Sequence, residues 1–264
     1  MSWDETLYAG SAPHYPVGRA PYPRSVAAAL RDHLGLDGTG RLLDVGCGPG
    51  TLTLLLAPLF AAAVGVDADP GMVAEARRRD PDRRVTWRRT RAEELPAGLG
   101  TFRVVTFAQS FHWMDQPRVA RALRPVVEQA WVHVSAQTDR GEDGDDPLPH
   151  PRPPWAAVDA LITRWLGPVR RAGRGTLPDG TRGGEEDVLR AAGFRGPTRI
   201  EGAGPRVVIR TADEVVAAVF SHSGSAPHLF GDRLAAFEAE LRATVGPGPF
   251  AERMRAIDLV VWRP

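Results

Sequence analysis

Lysine is absent from the sequence, cysteine occurs once, and the net charge is close to zero. All 33 basic residues are arginine, and 32 acidic residues bring the formal net charge to +1 at pH 7. A protein that binds a polyanion usually carries a marked basic excess, so this balance disfavours nucleic acid as a partner. The single cysteine, Cys47, cannot form an internal disulfide and is typical of a reducing compartment.

Long apolar runs are missing as well. No segment approaches the roughly 20 consecutive apolar residues that a membrane-spanning helix needs. Acids stand near the first residue, where a secretory signal would carry bases. The seven histidines are scattered and do not show the spacing of a zinc site. We therefore expect a soluble cytoplasmic protein that contacts no membrane and holds no metal.

Strand and helix patterns alternate through the first half of the chain. Strands are predicted at 41–45, 63–66, 85–88, 102–107 and 130–134, and helices at 25–34, 51–60, 70–79 and 116–123. Alternating elements of this length predict a parallel sheet with helices on both of its faces.

The second half of the chain is less regular. Residues 137–154 combine acids with prolines and predict a long loop. Later elements are predicted helices at 155–166, 185–192, 212–220 and 232–245, and predicted strands at 206–210 and 256–262. The helices between residues 211 and 245 stand between two late strands, which predicts a cap over one edge of the sheet and not a separate domain.

The most informative segment is a glycine-rich turn after an apolar strand. Residues 42–45 run directly into Gly46, Gly48 and Gly50, and a helix pattern starts at Thr51. Glycine lets the backbone turn sharply and lets a ligand approach with no Cβ in the way. The helix start adds unpaired N–H groups and the positive end of the helix dipole. These features predict a cradle for a nucleotide-like ligand.

An acid ends the second predicted strand. Asp67 stands about 20 residues beyond the first glycine, where a carboxylate can accept the hydroxyls of a ribose. Dehydrogenases that bind NAD carry the same acid, but their glycines follow the spacing Gly-x-Gly-x-x-Gly and not the Gly-x-Gly-x-Gly of this chain. The spacing therefore disfavours an NAD-dependent oxidoreductase. Asp69, two residues further on, is predicted to cap the next helix.

Residues 44–50 (Asp-Val-Gly-Cys-Gly-Pro-Gly) resemble the first motif of the class I S-adenosylmethionine-dependent methyltransferases. Asp67, residues 91–96 and residues 108–113 resemble the three following motifs, in the same order. By these motifs the sequence is identified as a member of the small-molecule subgroup, which includes the UbiE-like and trans-aconitate methyltransferases. The resemblance implies an α/β fold: a Rossmann-like seven-stranded sheet with helices on both faces and a small helical cap. It also implies S-adenosylmethionine as cofactor and S-adenosylhomocysteine as product.

The resemblance further implies which residues contact the cofactor. In the family, the third motif lies beside the adenine, and this role is carried to Ala92 and Glu93. An N-terminal arm crosses the cofactor, so Arg19 is expected to pair with its carboxylate and Tyr15 to pack over it. The full set of implied cofactor contacts is Tyr15, Arg19, Asp44, Gly46, Cys47, Gly48, Gly50, Asp67, Ala68, Met72, Ala92, Glu93, Gln109 and Ser110.

The chain departs from the family pattern in one segment, and the resemblance also implies an order of domains. Residues 123–125 should lead into a glycine pair before the next strand, but residues 126–130 are Val-Val-Glu-Gln-Ala. We therefore expect a loop of different shape at this point. The implied organisation is an arm over the cofactor at 1–24, a methyltransferase domain at 25–136 and 184–264 with cap helices at about 211–245, and an insertion of loop and helix at 137–183.

Methyl transfer from a sulfonium is an in-line displacement, so the main task of such an enzyme is to position the reacting groups. A general base is needed only when the nucleophile arrives protonated. His112 is the first catalytic candidate, because it follows a central strand at the edge where open α/β sheets place their chemistry. The alternative is a histidine that lines the pocket and transfers no proton. His222 is a second candidate base, and Trp113 and His228 are expected to contact the substrate.

The sequence therefore predicts a methyltransferase that acts on a small molecule of secondary metabolism at oxygen, nitrogen or carbon. Two alternatives stay open: methylation of a carboxylate on a peptide or small acid, and a non-catalytic protein that binds S-adenosylmethionine. A nucleic-acid methyltransferase is disfavoured by the charge balance, and the Asn/Asp-Pro-Pro-aromatic signature of amino-methylating enzymes is absent. The sequence does not indicate an oligomeric state.

Overall fold

The structure, a computed structural model, describes residues 4, 6–135, 138–139, 147–169, 171–172, 175–176 and 184–264. Its α-helices are α1 (Tyr15–Gly18), α2 (Arg24–Leu34), α3 (Thr51–Leu56), α4 (Pro70–Arg78), α5 (Gln116–Leu123), α6 (Trp155–Leu166), α7 (Glu185–Ala191), α8 (Ala212–Phe220) and α9 (Leu234–Val245). Its β-strands are β1 (Arg41–Val45), β2 (Ala62–Asp67), β3 (Val85–Arg89), β4 (Phe102–Ala108), β5 (Val127–Ser135), β6 (Thr138–Asp139), β7 (Arg171–Ala172), β8 (Gly175–Thr176), β9 (Arg195–Ala203), β10 (Arg206–Arg210), β11 (Phe250–Met254) and β12 (Ile257–Arg263). Residues 137 and 140–146 of the expected loop lie outside the described part of the chain.

Contacts within the chain divide it into two compact units. The sheet unit comprises Tyr22–Ala136, Arg182–Gly204 and Ala256–Pro264, and the helical unit comprises Met1–Pro21, Gln137–Thr181 and Pro205–Arg255. The organisation implied by the sequence groups the segments differently. It treats residues 1–24 as an arm of their own and places residues 205–255 in the methyltransferase domain. In the structure residues 1–21 and 205–255 belong to one unit, and the hydrogen bonds described below connect them.

The sheet unit is built on a seven-stranded sheet with the order β3-β2-β1-β4-β5-β12-β9. Strands β1 to β5 pair in parallel, as the alternation of elements predicts. The strand β12, from the less regular second half of the chain, runs antiparallel to β5 and to β9. Parallel neighbours need a crossover connection, whereas an antiparallel strand does not. The carboxyl ends of β1, β2 and β4 meet at one edge of the sheet, where open α/β folds place their sites.

Apolar side chains cover both faces of this sheet. Successive strand residues point to opposite faces, so Leu42 lies in one buried layer and Leu43 in the other. The first layer receives side chains of α2, α3 and α4, among them Val26 and Leu56. The second receives side chains of α5 and α7, among them Leu189. The predicted helices on both faces are confirmed.

Some element boundaries differ from the sequence prediction. The strand β9 is not predicted, because most of its residues are exposed and it contains two glycines and a proline, so no apolar alternation marks it. The strand β11 is missed as well. The helix predicted at 51–60 ends at Leu56 and continues as a short 3₁₀ turn, because Pro58 has no N–H to continue the helical ladder. The strand β5 begins at Val127, so the stretch in which the family has a glycine pair is strand here.

The helical unit has a core of its own. The helices α6, α8 and α9 pack around Phe220, Phe230 and Phe237. The rings of Phe230 and Phe237 stack with their centroids 3.8 Å apart. A second sheet, with the order β10-β11-β6, belongs to the same unit. Among the described helices, none is both long enough and apolar enough to cross a membrane.

The N-terminal segment is bound into the helical unit at several points. The helix α1 packs so closely on α8 that a Cβ at Gly18 would lie 2.4 Å from the carbonyl of Ala217. The guanidinium of Arg210 donates to Gly18 O (2.5 Å), and that of Arg206 donates to Pro21 O (3.1 Å). Residues 18–21 are therefore held at both ends.

Candidate cofactor site

The candidate site is built around the turn between β1 and α3. Gly46, Gly48 and Gly50 have φ angles of 68°, 54° and 77°, a region that residues with a Cβ rarely occupy. A Cβ at Gly46 would lie 2.6 Å from Ser110 Cβ, and one at Gly50 would lie 2.4 Å from the ring of Trp87. A Cβ at Gly48 would meet nothing within 4 Å. The turn is therefore packed against the protein on two sides and open at its middle glycine, as a cradle requires.

Several amide groups of the turn are bonded within the protein. The N–H groups of Gly46 and Cys47 donate to the carbonyl of Val66 at 2.9 and 3.0 Å. The N–H of Gly48 donates to Asp67 Oδ2 at 2.8 Å. These three N–H groups are therefore not available to a ligand. The N–H groups that a ligand could use are those at the start of α3. Neighbouring groups thus hold the cradle in shape.

Asp67 connects the turn to the end of β2. Its Oδ2 accepts from Gly48, and its Oδ1 accepts from the N–H of Asp69 at 2.9 Å. Each carboxylate oxygen keeps a second lone pair, so ribose hydroxyls can still donate to Asp67. Burial raises the pKa of Asp67 to about 6, and the two N–H donors oppose this shift. Asp69 caps α4 by accepting from the N–H of Met72 (2.9 Å), which confirms its predicted role.

Asp44 is buried beneath the turn. Its Oδ2 accepts from the hydroxyl of Thr53 (2.5 Å) and its Oδ1 from that of Thr106 (2.8 Å), which ties β1 to α3 and β4. Burial raises the pKa of Asp44 to about 6, and the two hydroxyls oppose the shift. Cys47 is buried as well, and burial together with the neighbouring acids raises the pKa of its thiol. A contact between Asp44 and the cofactor stays a prediction, but its hydrogen bonds show that it braces the turn.

Two residues that no motif indicates support the turn from the side of β3. Arg79, just after α4, donates from Nη1 to Pro49 O (2.7 Å) and to Thr51 Oγ1 (3.1 Å). The ring of Trp87 lies under the turn, and its Nε1–H donates to Asp80 Oδ2 (3.0 Å). Arg79 is one of three consecutive arginines, so no sequence signal separates it from its exposed neighbours. Trp87 occupies an inward position of its strand, which was the available signal.

The third motif forms a 3₁₀ turn, Ala92–Glu94. Ala92 is buried. Glu93 accepts from the N–H of Asp115 through Oε1 (2.9 Å) and lies 3.8 Å from Arg91 Nε. The carboxylate is thereby tied to the residue that caps α5. Its contact with the adenine amino group stays a prediction, as does that of Ala68, which is half-buried.

The fourth motif follows β4 in an uncommon backbone conformation. Gln109 has a φ of 54°, and such angles at residues other than glycine concentrate at functional sites. Ser110 Oγ donates to the last carbonyl of β1 (2.7 Å), which brings this motif against the glycine turn. His112 and Trp113 follow in a 3₁₀ turn, with their ring centroids 5.3 Å apart. Burial lowers the pKa of His112, so its ring is neutral at neutral pH and can accept a proton.

A second histidine near this motif has no counterpart among the sequence predictions. His133 lies on β5 with its side chain 12% exposed. Its Nε2 lies 2.8 Å from Trp131 Nε1, and its Nδ1 lies 3.4 Å from Glu185 Oε2. Burial, and to a smaller degree the charge of His112, lowers the pKa of His133 to about 3. A polar residue inside the otherwise apolar stretch 130–134 of this strand was the signal that could have found it.

Other predicted site residues lie in the helical unit. Arg19 Nη2 donates to Ser221 O (3.3 Å) and lies 3.0 Å from His222 Nδ1. The Arg19 guanidinium also lies 5.1 Å from the ring centroid of Tyr15. Because an arginine can only donate, His222 accepts at Nδ1, and a neutral ring then carries its proton on Nε2. This tautomer weighs against His222 as a base. The expected contacts of Tyr15 and Arg19 with the cofactor stay predictions.

The ring of His228, unlike that of His222, carries its proton on Nδ1. Its Nδ1 lies 3.1 Å from the carbonyl of Ala9, which can only accept, so Nδ1 carries the proton. The contact of His228 with a substrate stays a prediction. Within the described ranges, no group of three or more His, Cys, Asp or Glu side chains is arranged to hold a metal ion.

Comparison with known proteins identifies the part of the chain that carries this site. Residues 42–129 match the model of a family described as methyltransferase domain. Trans-aconitate 2-methyltransferase from Methylobacterium nodulans is 38% identical over 105 residues, which are 38% of this chain and 40% of the relative. Residues 42–129 are thus similar to a methyltransferase domain. The chain spans at most half the length of the first relatives that it matches.

Solved structures share the fold of the methyltransferase domain and of most of the chain. A protein from Anaeromyxobacter dehalogenans, described as a candidate type II methyltransferase, is 24% identical with a TM-score of 0.55, covering 93% of this chain and 97% of that one. The [4+2]-cyclase SpnF is 21% identical with a TM-score of 0.54, covering 98% of this chain and 94% of that one. These likenesses establish the Rossmann-like fold. A cyclase among them shows that the fold alone does not determine the reaction.

Proposed function

We propose that the protein transfers a methyl group from S-adenosylmethionine to a small molecule, at an oxygen, nitrogen or carbon atom. The observation that carries the proposal is the glycine turn of the methyltransferase domain. It is open at Gly48, it is braced by Asp44 and Asp67, and it lies against Ser110 of the fourth motif. Three sequence motifs thus meet at the edge of the sheet where such folds bind ligands.

The residues of the turn fit S-adenosylmethionine. The open face at Gly48 leaves room for the backbone to approach a ligand, and Asp67 retains lone pairs for the two ribose hydroxyls. The buried Ala92 provides an apolar contact for the adenine, with Glu93 beside it. When bound, S-adenosylmethionine supplies an activated methyl group on a sulfonium centre. The task of the chain is to hold and orient this group, which is the main contribution to such a displacement.

His112 is the proposed base when the acceptor arrives protonated. It follows the central strand β4, and burial keeps its ring neutral, so a ring nitrogen can take the proton of a hydroxyl or ammonium group. His222 is the weaker candidate because Arg19 occupies its Nδ1. Trp113 is proposed to line the acceptor pocket beside His112, and His228 is proposed to contact the acceptor.

The proposal also extends to the chemical class of the methyl acceptor. A secondary metabolite is our first choice, and a carboxylate on a peptide or small acid is the second. The relative named trans-aconitate 2-methyltransferase supports the carboxylate, for which no base would be required. The balanced charge supports a small molecule over nucleic acid, and the single cysteine supports a cytoplasmic location.

Calorimetric titration with S-adenosylmethionine, and in parallel with NAD, tests the proposal. We expect micromolar binding of S-adenosylmethionine and none of NAD. The decisive variant is Gly48→Leu, and its matched control is Gly38→Leu. Both glycines have positive φ, and a Cβ would meet nothing within 4 Å at either position, so both substitutions carry a similar backbone strain.

The two variants separate a lost site from a damaged fold. We expect similar thermal stability for both, with binding abolished in Gly48→Leu and retained in Gly38→Leu. Equal binding by both variants would place the cofactor elsewhere. Binding of S-adenosylmethionine without transfer to any acceptor of a broad screen would favour the non-catalytic alternative.

A further inference from the structure

The proposed reaction makes no use of His133, although the residue lies close to its machinery. The ring of His133 is surrounded by aromatic side chains: the centroids of Phe107, Phe111 and Trp131 lie 5.8, 5.1 and 5.8 Å from it. All of these residues belong to the sheet unit. A histidine with two polar partners in such surroundings needs an explanation, because burying a polar group without benefit costs stability.

The partners of His133 determine where its proton lies. The indole N–H of Trp131 can only donate, so His133 Nε2, at 2.8 Å, must accept and carries no proton. The proton of the neutral ring is therefore on Nδ1, which faces Glu185 Oε2 at 3.4 Å. A second proton on Nε2 would face the indole N–H, so the geometry keeps the ring uncharged. Trp131 thus donates to His133, and the Nδ1–H of His133 is directed towards the carboxylate of Glu185.

We propose that the Trp131–His133 hydrogen bond and the Glu185 carboxylate that faces His133 form a one-way polar relay, which holds the Phe111–Trp113 turn in place for methyl transfer. His133 and Glu185 are positioning residues in this scheme, since they act through Phe111. The inference rests on the proposed function, which places His112 and Trp113 of this turn beside the acceptor and therefore beside the methyl group to be transferred.

Packing of Phe111 connects the relay to the turn. Phe111 is 2% exposed, and its ring packs against that of His133 in a tilted arrangement, with an interplanar angle of 35°. Its edge contacts Phe107 and Trp131 at centroid distances of 5.1 and 5.2 Å. Phe111 begins the turn that carries His112, and the N–H of Trp113 closes that turn on Ser110 O (3.0 Å). A rotation of the His133 ring would therefore displace the residues beside the reacting group, because closely packed rings do not deform independently.

Glu185→Leu is the test variant, with Glu186→Leu as its matched control. Both glutamates lie in the first turn of α7, so both substitutions remove one favourable charge from the start of the same helix. Glu186 pairs with Arg190 and Arg199 at the surface, whereas Glu185 faces His133. Glu185→Gln is the conservative variant, because its amide oxygen can still accept from Nδ1–H.

The readout is the NMR signal of S-adenosylmethionine labelled with ¹³C at the transferred methyl group, which needs no acceptor. We expect Glu185→Leu to shift or broaden this signal while the dissociation constant stays within about twofold of the parent value. Glu186→Leu and Glu185→Gln should leave the signal in place. A purely structural role of Glu185 would lower thermal stability and leave the methyl signal unchanged. We also expect ¹⁵N spectra to show His133 as the neutral Nδ1–H tautomer from about pH 5 to 8.

The possible failures are distinguishable. Trp113→Phe should move the methyl signal if the turn faces the methyl group, and an unmoved signal would overturn both the proposed placement and the relay. If Trp113→Phe moves the signal but Glu185→Leu behaves like Glu186→Leu, the relay alone is wrong. An Nε2–H tautomer or a charged His133 ring would also overturn the relay.

Discussion

At the scale of single residues, two acids beside the glycine turn respond to pH. Burial raises the pKa of Asp44 and of Asp67 from an ordinary value of 3.8 to about 6. The folded state therefore binds a proton at each acid more tightly than the unfolded chain does, and protonation stabilises the fold. This stabilisation is complete below about pH 3.8 and is lost as the pH rises through about 6. The sheet unit thus carries two destabilising charges at neutral pH beside its site.

Asp44→Asn should remove the part of this pH dependence that belongs to Asp44. The loss of stability between about pH 4 and 6 amounts to about 3 kcal/mol for one such acid, and an asparagine cannot ionise. Chemical denaturation across this pH window measures the slope. Asp82→Asn is the control, because Asp82 is exposed and its ion pair is with an exposed arginine. An unchanged slope in Asp44→Asn would contradict the assignment.

Asp67 should make cofactor binding depend on pH. Ribose hydroxyls need the ionised carboxylate as acceptor, so the affinity for S-adenosylmethionine should fall as the pH drops below about 6, by up to about tenfold per pH unit. Calorimetric titrations at about pH 5 and 7.5 measure this change. Asp67→Asn should bind weakly at both values and show little pH dependence. A wild-type affinity that does not vary across this range would contradict the ribose contact.

At the scale of elements, the segment from the end of α4 to β3 is part of the site although no motif marks it. Arg79 binds the carbonyl of Pro49 and the hydroxyl of Thr51, and Trp87 fills the space beneath the turn. Asp80 holds the indole and also accepts from the N–H of Val85 (3.0 Å), which fixes the connection between the two elements. The geometry of the turn is therefore set by neighbouring elements as well as by its glycines.

Arg79→Met should weaken S-adenosylmethionine binding by about tenfold, because an unbraced turn must be ordered when the ligand binds. Arg84→Met is the matched control, since Arg84 is exposed and its side chain pairs with the exposed Asp82. Calorimetric titration of both variants, with thermal unfolding of the free proteins, checks this expectation. Equal affinities in the two variants would show that Arg79 does not brace the turn for binding.

Elements and motifs could be predicted from the sequence where local chemistry decides the structure. The glycine turn, Asp69 as a cap and the bounds of α5, α6, α8 and β10 follow from periodicity and capping residues. The strand β9 could not be predicted, because it is stabilised by pairing with β12 and has little buried apolar surface of its own. The roles of Arg79 and Glu185 also depend on partners far away in the sequence. Local patterns contain no information about such contacts.

At the scale of the whole molecule, the chain consists of two units with separate cores. The methyltransferase motifs all lie in the sheet unit. Tyr15, Arg19, His222 and His228 lie in the helical unit, and contacts with Arg206 and Arg210 bind the N-terminal segment into it. Units with their own cores can lose structure independently of one another.

Arg210→Met should destabilise the helical unit selectively. Arg210 and Glu252 are both buried, with Nε and Oε2 3.7 Å apart, and removing one partner of a buried ion pair costs about 3 kcal/mol. Hydrogen exchange should show lost protection in α1, α8 and β10 and unchanged protection in the seven-stranded sheet. Arg242→Met, which removes exposed ion pairs, should change neither unit. A uniform loss of protection would show that the two units unfold together.

The position of Trp87 has a practical consequence. Its indole is nearly buried, lies directly under the glycine turn and is held in one orientation by Asp80. Indole fluorescence depends strongly on the polarity and rigidity of its surroundings, so a ligand seated in the turn should alter the emission of this ring. The difference in emission between the parent protein and Trp87→Phe would isolate its signal from those of the other six tryptophans. The turn thus carries an intrinsic optical reporter that can follow the arrival of a ligand in real time without a label.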